Sequence, residues 1–587
     1  MKNKLFYLAI SFTICFKVNS QHILKDQEDV QWYQGIHQEY VYMHFNTSLL
    51  FTGEYLFYKV YCLNSVNKQL TKTSKVAYVE LLAESGELVF RHKILLDKGK
   101  GQGDYFIPTT VPSGNYKLIA YTKWMLNGKG DNFFDGDVAI VNPYRQDQSV
   151  FLNSHSKQDS RTSNFISNDN KNSNVLVSLS ATELGNRSKG VVELKGINGL
   201  GNGNYSISIR KVEDINQPKM LNAINHETLI KNINSEPKKV GETILMPEFS
   251  GEMISGKILD KSNNQPVSKK HIAFSIAENE SEFDITNTNE NGVFYFNLKT
   301  NYKGNEAIYQ VLDKDPDKFN VDIDKHESFK YDDLKFNQFA LAKDMDEMIV
   351  SRSIHNQIQN GFFSVKPDTV KTNTPPSPFF GNNQEVYDLD DYTRFPTVNE
   401  TVIEIIEHAW TRKDDDGKRV LVVRGREFDP YFGSDLKPLV IVDGVFVQDH
   451  EMIIGYDARK IKSIAILRDE YYYGDKVYKG VLALKTLKGE FHKEFNDSYI
   501  TKNTLFTPQP RKSYFVQKYN TLDGLNNNNR IPDYRHQLIW IPNFTLDQSS
   551  KSFEFFTSDV DGSFEVSVEG FTENGAPVSI KQKFVVK

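Results

Sequence analysis

The chain has almost no cysteine. Only Cys15 and Cys62 occur in 587 residues, and Cys15 lies in an N-terminal segment that has the pattern of a cleaved leader. The one remaining cysteine cannot form an intramolecular disulfide, so we expect the fold to be held by its hydrophobic cores. Cys62 lies in the strand-like run Tyr58-Lys59-Val60-Tyr61-Cys62-Leu63. This context predicts a buried small hydrophobic side chain rather than a reactive thiol.

Long apolar runs and blocks of a single charge are also missing. Outside the N-terminus, no stretch approaches the ~18 consecutive apolar residues of a membrane helix, so we expect no transmembrane segment. Lys and Arg total 70 against 76 Asp and Glu, which gives a net charge of −6 with no basic arm. Nucleic acid is therefore not an expected partner.

Catalytic motifs are absent from the sequence. It contains neither an HExxH zinc motif nor a Gly-x-Ser-x-Gly nucleophile elbow, so we expect no enzymatic activity, no catalytic residue, no cofactor and no metal site. Gly199-Leu200-Gly201-Asn202-Gly203 precedes a strand-like run and is interpreted as a turn, not a phosphate loop. Asp414-Asp415-Asp416-Gly417 is interpreted as a turn between a helix and a strand, with a weak calcium site as the alternative.

The N-terminus has the pattern of an export signal. Lys2 and Lys4 precede an apolar run from Leu5 to Phe16, and small side chains stand at Val18 and Ser20 before Gln21. This predicts a secretory signal peptide over residues 1–20. A lipoprotein signal at Cys15 is the alternative, but the residues before this cysteine are not small.

Short strand-like runs between Gly and Pro turns fill most of the remaining chain. They predict a mostly β, multidomain fold, with Asp559-Val560-Asp561-Gly562 as a C-terminal hairpin turn and a helix from Val398 to Trp410. The predicted units are a sandwich at 39–144, a linker at 145–173, a small β unit at 174–213, a sandwich at 250–330, a helix at 338–362, a linker at 366–385, a mixed helix and strand domain at 388–490, and a sandwich at 500–587.

The first block is similar to a known domain. Tyr42-Met43-His44-Phe45-Asn46, Phe51-Thr52-Gly53-Glu54-Tyr55 and Ala120-Tyr121-Thr122-Lys123-Trp124-Met125 resemble the MG2 domain of α2-macroglobulin-like proteins. The last block, with Trp540-Ile541-Pro542-Asn543, resembles the sandwich that often closes bacterial proteins of this kind. These resemblances imply immunoglobulin-like or macroglobulin-like sandwiches. Cys62 does not supply the Gly-rich thioester loop of that family, so covalent protease trapping is not implied.

Two further blocks carry resemblances of their own. Ile254-Ser255-Gly256-Lys257-Ile258 and Thr288-Asn289-Glu290-Asn291-Gly292 resemble a carboxypeptidase-regulatory-like sandwich. Pro438-Leu439-Val440-Ile441-Val442-Asp443-Gly444 and Gly480-Val481-Leu482-Ala483-Leu484 resemble the α+β plug domain of TonB-dependent outer-membrane receptors. Only 97 residues, 491–587, follow this block, too few for a receptor barrel. We expect the plug-like domain to stand free or to meet a barrel made by another chain.

Two aromatic clusters are candidate partner contacts. Tyr471, Tyr472 and Tyr473 precede a glycine in the plug-like block, and tyrosine clusters often anchor interfaces. Packing at a strand end is the alternative. Phe379 and Phe380 lie in a Pro-rich segment and are a candidate docking element, with burial against a neighbouring domain as the alternative.

These resemblances imply a function in the Gram-negative envelope. The leading hypothesis is a non-enzymatic scaffold or binding protein that is exported to the periplasm or associated with the outer membrane. It would act beside an outer-membrane β-barrel transport or export complex. One alternative is a macroglobulin-like, protease-interacting protein that lacks a thioester. The other is a module that captures peptide or glycan.

Overall fold

We describe the protein from a computed structural model. The described residues are 21–128, 133–145, 148, 151, 174–197, 199–213, 215, 217–229, 236–298, 302, 304–331, 334–341, 345–371, 377–426, 436–473, 476–519, 531–547 and 550–587. The predicted signal peptide at 1–20 and most of the predicted linker at 145–173 lie outside them. Within these ranges, no helix combines the length and the apolar character needed to cross a membrane.

The first sandwich packs a three-stranded sheet against a five-stranded sheet. In order across each sheet, the strands are Glu39–Phe45, Tyr55–Asn64 and Lys100–Phe106, and Leu49–Phe51, Phe134–Val141, Gly114–Tyr121, Val76–Ala83 and Leu88–Leu95. Tyrosine and phenylalanine dominate the core between the sheets. Cys62 is a free cysteine with 0% of its surface exposed, which confirms the predicted burial. Burial raises the pKa of its thiol well above the ordinary value.

The closing sandwich combines two segments that are far apart in the sequence. Its sheets, in strand order, are Val175–Leu179, Lys189–Gly196 and Ser550–Phe556, and Glu183–Leu184, Pro577–Val586, Gly562–Thr572, Gly203–Lys211 and Gln537–Leu546. The predicted unit at 174–213 and the C-terminal part of the predicted sandwich at 500–587 therefore share one core. The reason is that both neighbours of Gly203–Lys211 are C-terminal strands.

The predicted hairpin at 559–562 is wrong. The strands on either side, Ser550–Phe556 and Gly562–Thr572, lie in different sheets of the closing sandwich, so the connection between them is a crossover. Asp559 holds this connection in place. Its carboxylate accepts from Arg187 Nε at 2.6 Å and from the backbone N–H of Asp533 at 3.0 Å.

The middle sandwich corresponds to the predicted unit at 250–330, with one added strand. Its sheets are Val293–Leu298, Glu252–Asp260 and Phe319–Ile323, and Asn279–Asn287, His271–Ile276, Glu306–Val311 and Ile500–Thr504. The last strand comes from the segment that was predicted to begin the closing sandwich. It pairs with the edge of Glu306–Val311 and extends that sheet.

The mixed domain contains strands and helices, as predicted for 388–490. Its five-stranded sheet has the order Glu385–Asp388, Ile461–Leu467, Val481–Thr486, Leu439–Val442 and Val445–Phe446. Leu439–Val442 and Val481–Thr486 run parallel, and the other neighbours run antiparallel. The predicted fold class, mostly β and multidomain with one α+β domain, is confirmed.

The helix predicted from Val398 to Trp410 is too long. The observed helix, Val398–Glu404, ends before His408, whose φ of 67° lies in the left-handed region. Trp410 lies in the strand Ala409–Lys413, which forms a hairpin with Arg419–Val423. The turn predicted at 414–417 is present, but it joins these two strands rather than a helix and a strand.

A single long helix, the bridging helix Asp346–Gly361, replaces the helix predicted at 338–362. Its buried face is polar and consists of Arg352, Ser353 and Asn356. Val350 and Ile354 are 57% and 49% exposed. Met348 and Ile349 are half-buried and pack against residues of the first sandwich, so the helix buries apolar side chains beside the polar set that includes Arg352.

The remaining elements are short. The other helices are Gln27–Gly35, Ala223–Leu229, Glu451–Ile454 and Phe491–Glu494, and the 3-10 helices are Lys123–Asn127, Pro316–Lys318, Phe363–Val365, Leu389–Asp391 and Ala458–Lys460. Two-stranded pairs join Gln21–Ile23 to Thr243–Leu245, Thr369–Val370 to Lys512–Ser513, and Tyr471–Tyr473 to Lys476–Tyr478.

Candidate functional site

Most of the predicted partner contacts pack within the chain. The Tyr471 hydroxyl donates to the carbonyl oxygen of Phe379 at 3.1 Å, and the Tyr473 hydroxyl donates to that of Phe283 at 2.5 Å. The Phe379 ring centroid lies 4.8 Å from that of Phe283, and Phe380 is only 7% exposed. This cluster joins the mixed domain to the middle sandwich. The alternative reading of these residues, local packing, is the one that the structure supports.

Tyr472 differs from its neighbours. It follows Tyr471 on the same short strand, so its side chain points to the opposite face, and 60% of its surface is exposed. Of the five predicted interface residues, Tyr472 is the one whose exposure still suits contact with another protein.

A second site, which we call the aromatic pocket, was not predicted. It opens where the first sandwich, the bridging helix and the closing sandwich meet, and its volume is about 180 Å³. Its aromatic lining residues are Tyr55, Phe57, Phe363, Tyr514, Phe515, Tyr534 and Trp540.

Ring stacking fixes the wall of the aromatic pocket. Tyr55 and Phe57 are two positions apart on one strand, so they share a face, and their ring centroids are 5.6 Å apart. Phe57 also lies 4.8 Å from Tyr514 in an edge-to-face contact and 6.2 Å from Trp540 in a stacked one. On the other side, Tyr55 stacks on Phe363 at 6.0 Å. Each ring is therefore held by a neighbour from another segment.

A buried ionic network lies beneath this wall. Glu54 accepts from Arg352 Nε at 2.7 Å and Nη2 at 2.8 Å, and from Arg210 Nη2 at 3.1 Å. Asn356 Nδ2 adds a contact at 3.3 Å. Arg352 also donates to the carbonyl oxygen of Leu49 at 2.9 Å. The network thus ties the bridging helix and the closing sandwich to the turn that carries Glu54.

The network is ionised, and its role is structural. Burial opposes ionisation of Glu54, but the guanidinium groups of Arg352 and Arg210 outweigh it and hold the pKa of Glu54 well below its usual range. Burial, followed by the nearby Arg352 charge, keeps the pKa of His536 well below the ordinary value, so this histidine is neutral. Neither group is poised for proton transfer near neutral pH.

One serine–histidine pair lies elsewhere in the interior. His44 Nδ1 is 2.8 Å from Ser206 Oγ, but Ser206 is 0% exposed. Burial lowers the pKa of His44 to about 3. A substrate cannot reach this pair, so its geometry indicates a satisfied internal hydrogen bond and not a nucleophile.

The polar groups of the aromatic pocket include two donors with no acceptor in the described part of the chain, Trp540 Nε1 and Gln359 Nε2. Lys366 Nζ donates to Gln359 Oε1 at 2.8 Å, which orients that amide. A buried donor without an acceptor costs about 1–3 kcal/mol. Trp540 is 2% exposed, so an acceptor oxygen recovers this cost only where it enters the pocket wall as far as the indole nitrogen.

Sequence reasoning missed this site because its residues come from segments around positions 55, 359, 514 and 540. The residues Gly53-Glu54-Tyr55 and Trp540 were noted only for their resemblance to sandwich domains. The sequence did carry a signal for this site. Glu54 and Arg352 are charged residues among apolar ones, and charged side chains are rarely buried unless they pair with each other. Among the described residues, no group of three or more His, Cys, Asp or Glu side chains is arranged to hold a metal ion.

The fold and the site together define a multidomain β-sandwich protein with an aromatic pocket at a junction. No family model and no curated protein matches the chain. Solved structures with similarity include Escherichia coli alpha-2-macroglobulin in its native conformation (9% identity, 97% of this chain and 41% of that one, TM-score 0.23). Salmonella alpha-2-macroglobulin reacted with methylamine gives 10% identity over 94% and 39%, with a TM-score of 0.23.

A further similar structure is dimeric latent PorU from Porphyromonas gingivalis, with 11% identity over 49% of this chain and 33% of that one and a TM-score of 0.15. The chain spans about two fifths of the length of the two macroglobulin structures. The carboxypeptidase-regulatory-like and plug-like resemblances stay predictions.

Proposed function

We propose that the chain is a non-enzymatic binding scaffold of the cell envelope that captures a peptide or a glycan in the aromatic pocket. The observation that carries this proposal is the pair of buried donors, Trp540 Nε1 and Gln359 Nε2, beside a wall of stacked rings. Aromatic faces bind flat apolar surfaces, and the two donors would select a ligand with acceptor oxygens.

The small volume of the pocket limits the kinds of ligand that can enter it. Its volume of about 180 Å³ is below the range of roughly 300–1,000 Å³ that is typical of sites for drug-sized molecules. One ring fits this space, either a sugar ring or an aromatic side chain. We therefore propose a longer ligand that inserts one unit and lays its neighbours across the exposed rim near Phe363, which is 46% exposed.

The residues that hold the pocket walls in place favour a binding function over a catalytic one. The Glu54–Arg352 pair and the stacked rings hold the walls in place before a ligand arrives, so little ordering is needed on binding. Preorganised aromatic walls are a common design for recognition sites.

The test uses the chain without its predicted leader, residues 21–587. Peptides with one central aromatic residue and neutral oligosaccharides are screened separately by isothermal titration calorimetry, so that the two ligand sources are distinguished. Trp540→Phe keeps most of the ring and removes the donor; we expect about 2- to 10-fold weaker binding, the value of one hydrogen bond. Trp410→Phe, at a residue that is 38% exposed, is the matched control. Binding that Trp540→Phe leaves unchanged, or no binding in either screen, would refute the proposal.

A second candidate function, docking beside an outer-membrane barrel, is supported by a different observation. The mixed domain exposes large apolar side chains: Val386 is 60% exposed, Ile403 55%, Leu487 53% and Tyr472 60%. Exposed apolar side chains that lie together in one patch are typical of contact sites for other proteins. The predicted leader and the plug-like sequence support export and an outer-membrane partner.

In-cell photocrosslinking tests this second candidate. A crosslinking amino acid is placed at Tyr472 and, as a control, at Val66 of the first sandwich, which is 64% exposed. Capture of an outer-membrane barrel protein from position 472 but not from position 66 supports docking. Equal capture from both positions, or capture of no barrel protein, counts against it.

A further inference from the structure

A basic cleft separates the first sandwich from the closing sandwich, on walls that the aromatic pocket does not share. It has a volume of about 970 Å³ and includes the segments around Lys72, Lys98 and Thr572. We infer that this cleft binds a ligand that carries several phosphate groups, either as a free molecule or as a lipid headgroup.

The charges that line the cleft are unbalanced. Five cationic side chains, those of Lys72, Lys75, Lys98, Lys100 and Arg511, face only two acidic ones, Asp97 and Glu573. This excess of positive charge is local, because the whole chain carries a net charge of −6. A concentration of cations in a concave site focuses the potential on anions.

Carboxylates offset little of the charge of the cleft lysines, although Asp97 is close enough to act on Lys100. Arg511 lies 3.6 Å from Asp97 Oδ2, so one of the two acidic groups is already shared. Across the described ranges, none of the four lysines forms an ion pair with a carboxylate. The only hydrogen bond that a lysine of this set donates from its ammonium group there is from Lys75 Nζ to the carbonyl oxygen of Lys72, at 2.9 Å.

The excess positive charge of the cleft also acts on a buried lysine nearby. Lys59 is 2% exposed, and its Nζ donates to Asn543 Oδ1 at 3.3 Å, with no carboxylate partner among the described residues. Burial, and then the positive charges of Lys100 and Arg511, hold the pKa of Lys59 well below its ordinary value. An anion bound in the cleft would relieve this repulsion.

The chemistry of the lining residues selects phosphate. Lysine ammonium groups are flexible point charges that bind phosphate oxygens without the fixed geometry that a bidentate arginine requires. The volume of about 970 Å³ accommodates a ligand with several such groups. The four lysines all come from the first sandwich and Arg511 comes from a separate segment. A ligand with several phosphates would contact more of these cations than a single phosphate ion.

The experiment measures binding of inositol hexakisphosphate to residues 21–587 by calorimetry at two salt concentrations. The cleft variant combines Lys72→Gln, Lys75→Gln and Lys100→Gln. The control variant combines Lys261→Gln, Lys314→Gln and Lys325→Gln, exposed positions of the middle sandwich that remove the same charge. We expect at least tenfold weaker binding and a shallower salt dependence for the cleft variant, and a change below twofold for the control.

A second variant covers the case in which the triple variant does not fold, and a second probe distinguishes a lipid headgroup from a free ligand. Arg511→Gln removes a cation from another segment and should also weaken binding if the triple variant fails to fold. Flotation with phosphatidylcholine vesicles that contain diphosphorylated lipid A separates the two sources: retention on these vesicles identifies a headgroup ligand, and binding of inositol hexakisphosphate alone identifies a free one. Equal loss in the cleft and control variants, or binding of neither probe, would overturn the inference.

Discussion

Replacing Glu54 by Gln should loosen the junction that supports the aromatic pocket. Glutamine has nearly the same shape, but its amide nitrogen is a donor, and it would face the donors of Arg352 and Arg210. Three hydrogen bonds from these guanidinium groups to the Glu54 carboxylate, at 2.7, 2.8 and 3.1 Å, would lose their charged acceptor. Breaking one partner of a buried ion pair costs about 3–5 kcal/mol, because the remaining charge stays buried.

The assay is amide hydrogen exchange of the bridging helix, read by mass spectrometry. Local opening of this helix breaks the contacts of Arg352, so the loss appears as faster exchange of peptides from 346–361. A loss of 3–5 kcal/mol corresponds to exchange that is roughly two to three and a half powers of ten faster. Peptides from 461–467 in the mixed domain should not change, because they do not contact the network.

A matched control and a pH series complete this test. Glu554→Gln breaks a solvent-exposed pair with Lys189 and should leave exchange unchanged. Because the folded pKa of Glu54 lies below its ordinary value of 4.5, the stability it adds is present above about pH 4.5 and is lost as the pH falls below it. Exchange of the wild-type helix, corrected for intrinsic rates, should therefore approach that of Glu54→Gln in acid. Equal protection of the two proteins at neutral pH would refute the structural role of the network.

Three further predictions concern other buried groups. Burial raises the pKa of Glu569 to about 7. The stability that Glu569 adds to the folded state, up to about 3 kcal/mol, is therefore present below pH 4.5 and is lost as the pH rises through 7. Glu569→Gln should flatten the pH dependence of Tm between pH 4.5 and 7. Tyr473→Phe removes the hydrogen bond to the Phe283 carbonyl and should destabilise the contact between mixed domain and middle sandwich by about 0.5–1.5 kcal/mol, measured by urea unfolding. In residues 21–587, where Cys62 is the one cysteine, a thiol reagent should react only in denaturant, and labelling of the native protein would contradict the burial of Cys62.

The sequence predicted the fold class because strand patterns are local. Strand-like runs such as those around Tyr55 and Leu439 indicated sandwiches and a domain of mixed helix and strand, and both are observed. Strand partners are a long-range property. The pairing of Gly203–Lys211 with Gln537–Leu546 joins segments that are more than three hundred residues apart, and neither sequence indicates which strand is its partner. The predicted boundary between 174–213 and 500–587 therefore does not separate two cores.

The site was harder to predict than the fold. The bridging helix was predicted, but its buried polar contacts were not, because Arg352 pairs with Glu54, which lies almost three hundred residues earlier. Tyr471 and Tyr473 were recognised as a cluster, yet a cluster alone does not tell whether its partner is another protein or the neighbouring domain. The macroglobulin-like, protease-interacting hypothesis stays a prediction.

The most direct test of the proposed function follows the indole nitrogens by NMR. The chain has four tryptophans, so a protein labelled with ¹⁵N-tryptophan gives four indole signals, each assigned by a Trp→Phe variant. Trp124 Nε1 already donates to the His37 carbonyl oxygen at 3.1 Å, whereas Trp540 Nε1 has no acceptor in the described part of the chain. Titration with a peptide or oligosaccharide that binds should shift the Trp540 signal and leave the Trp124 signal in place. A ligand that binds without moving the Trp540 signal would contradict capture in the aromatic pocket.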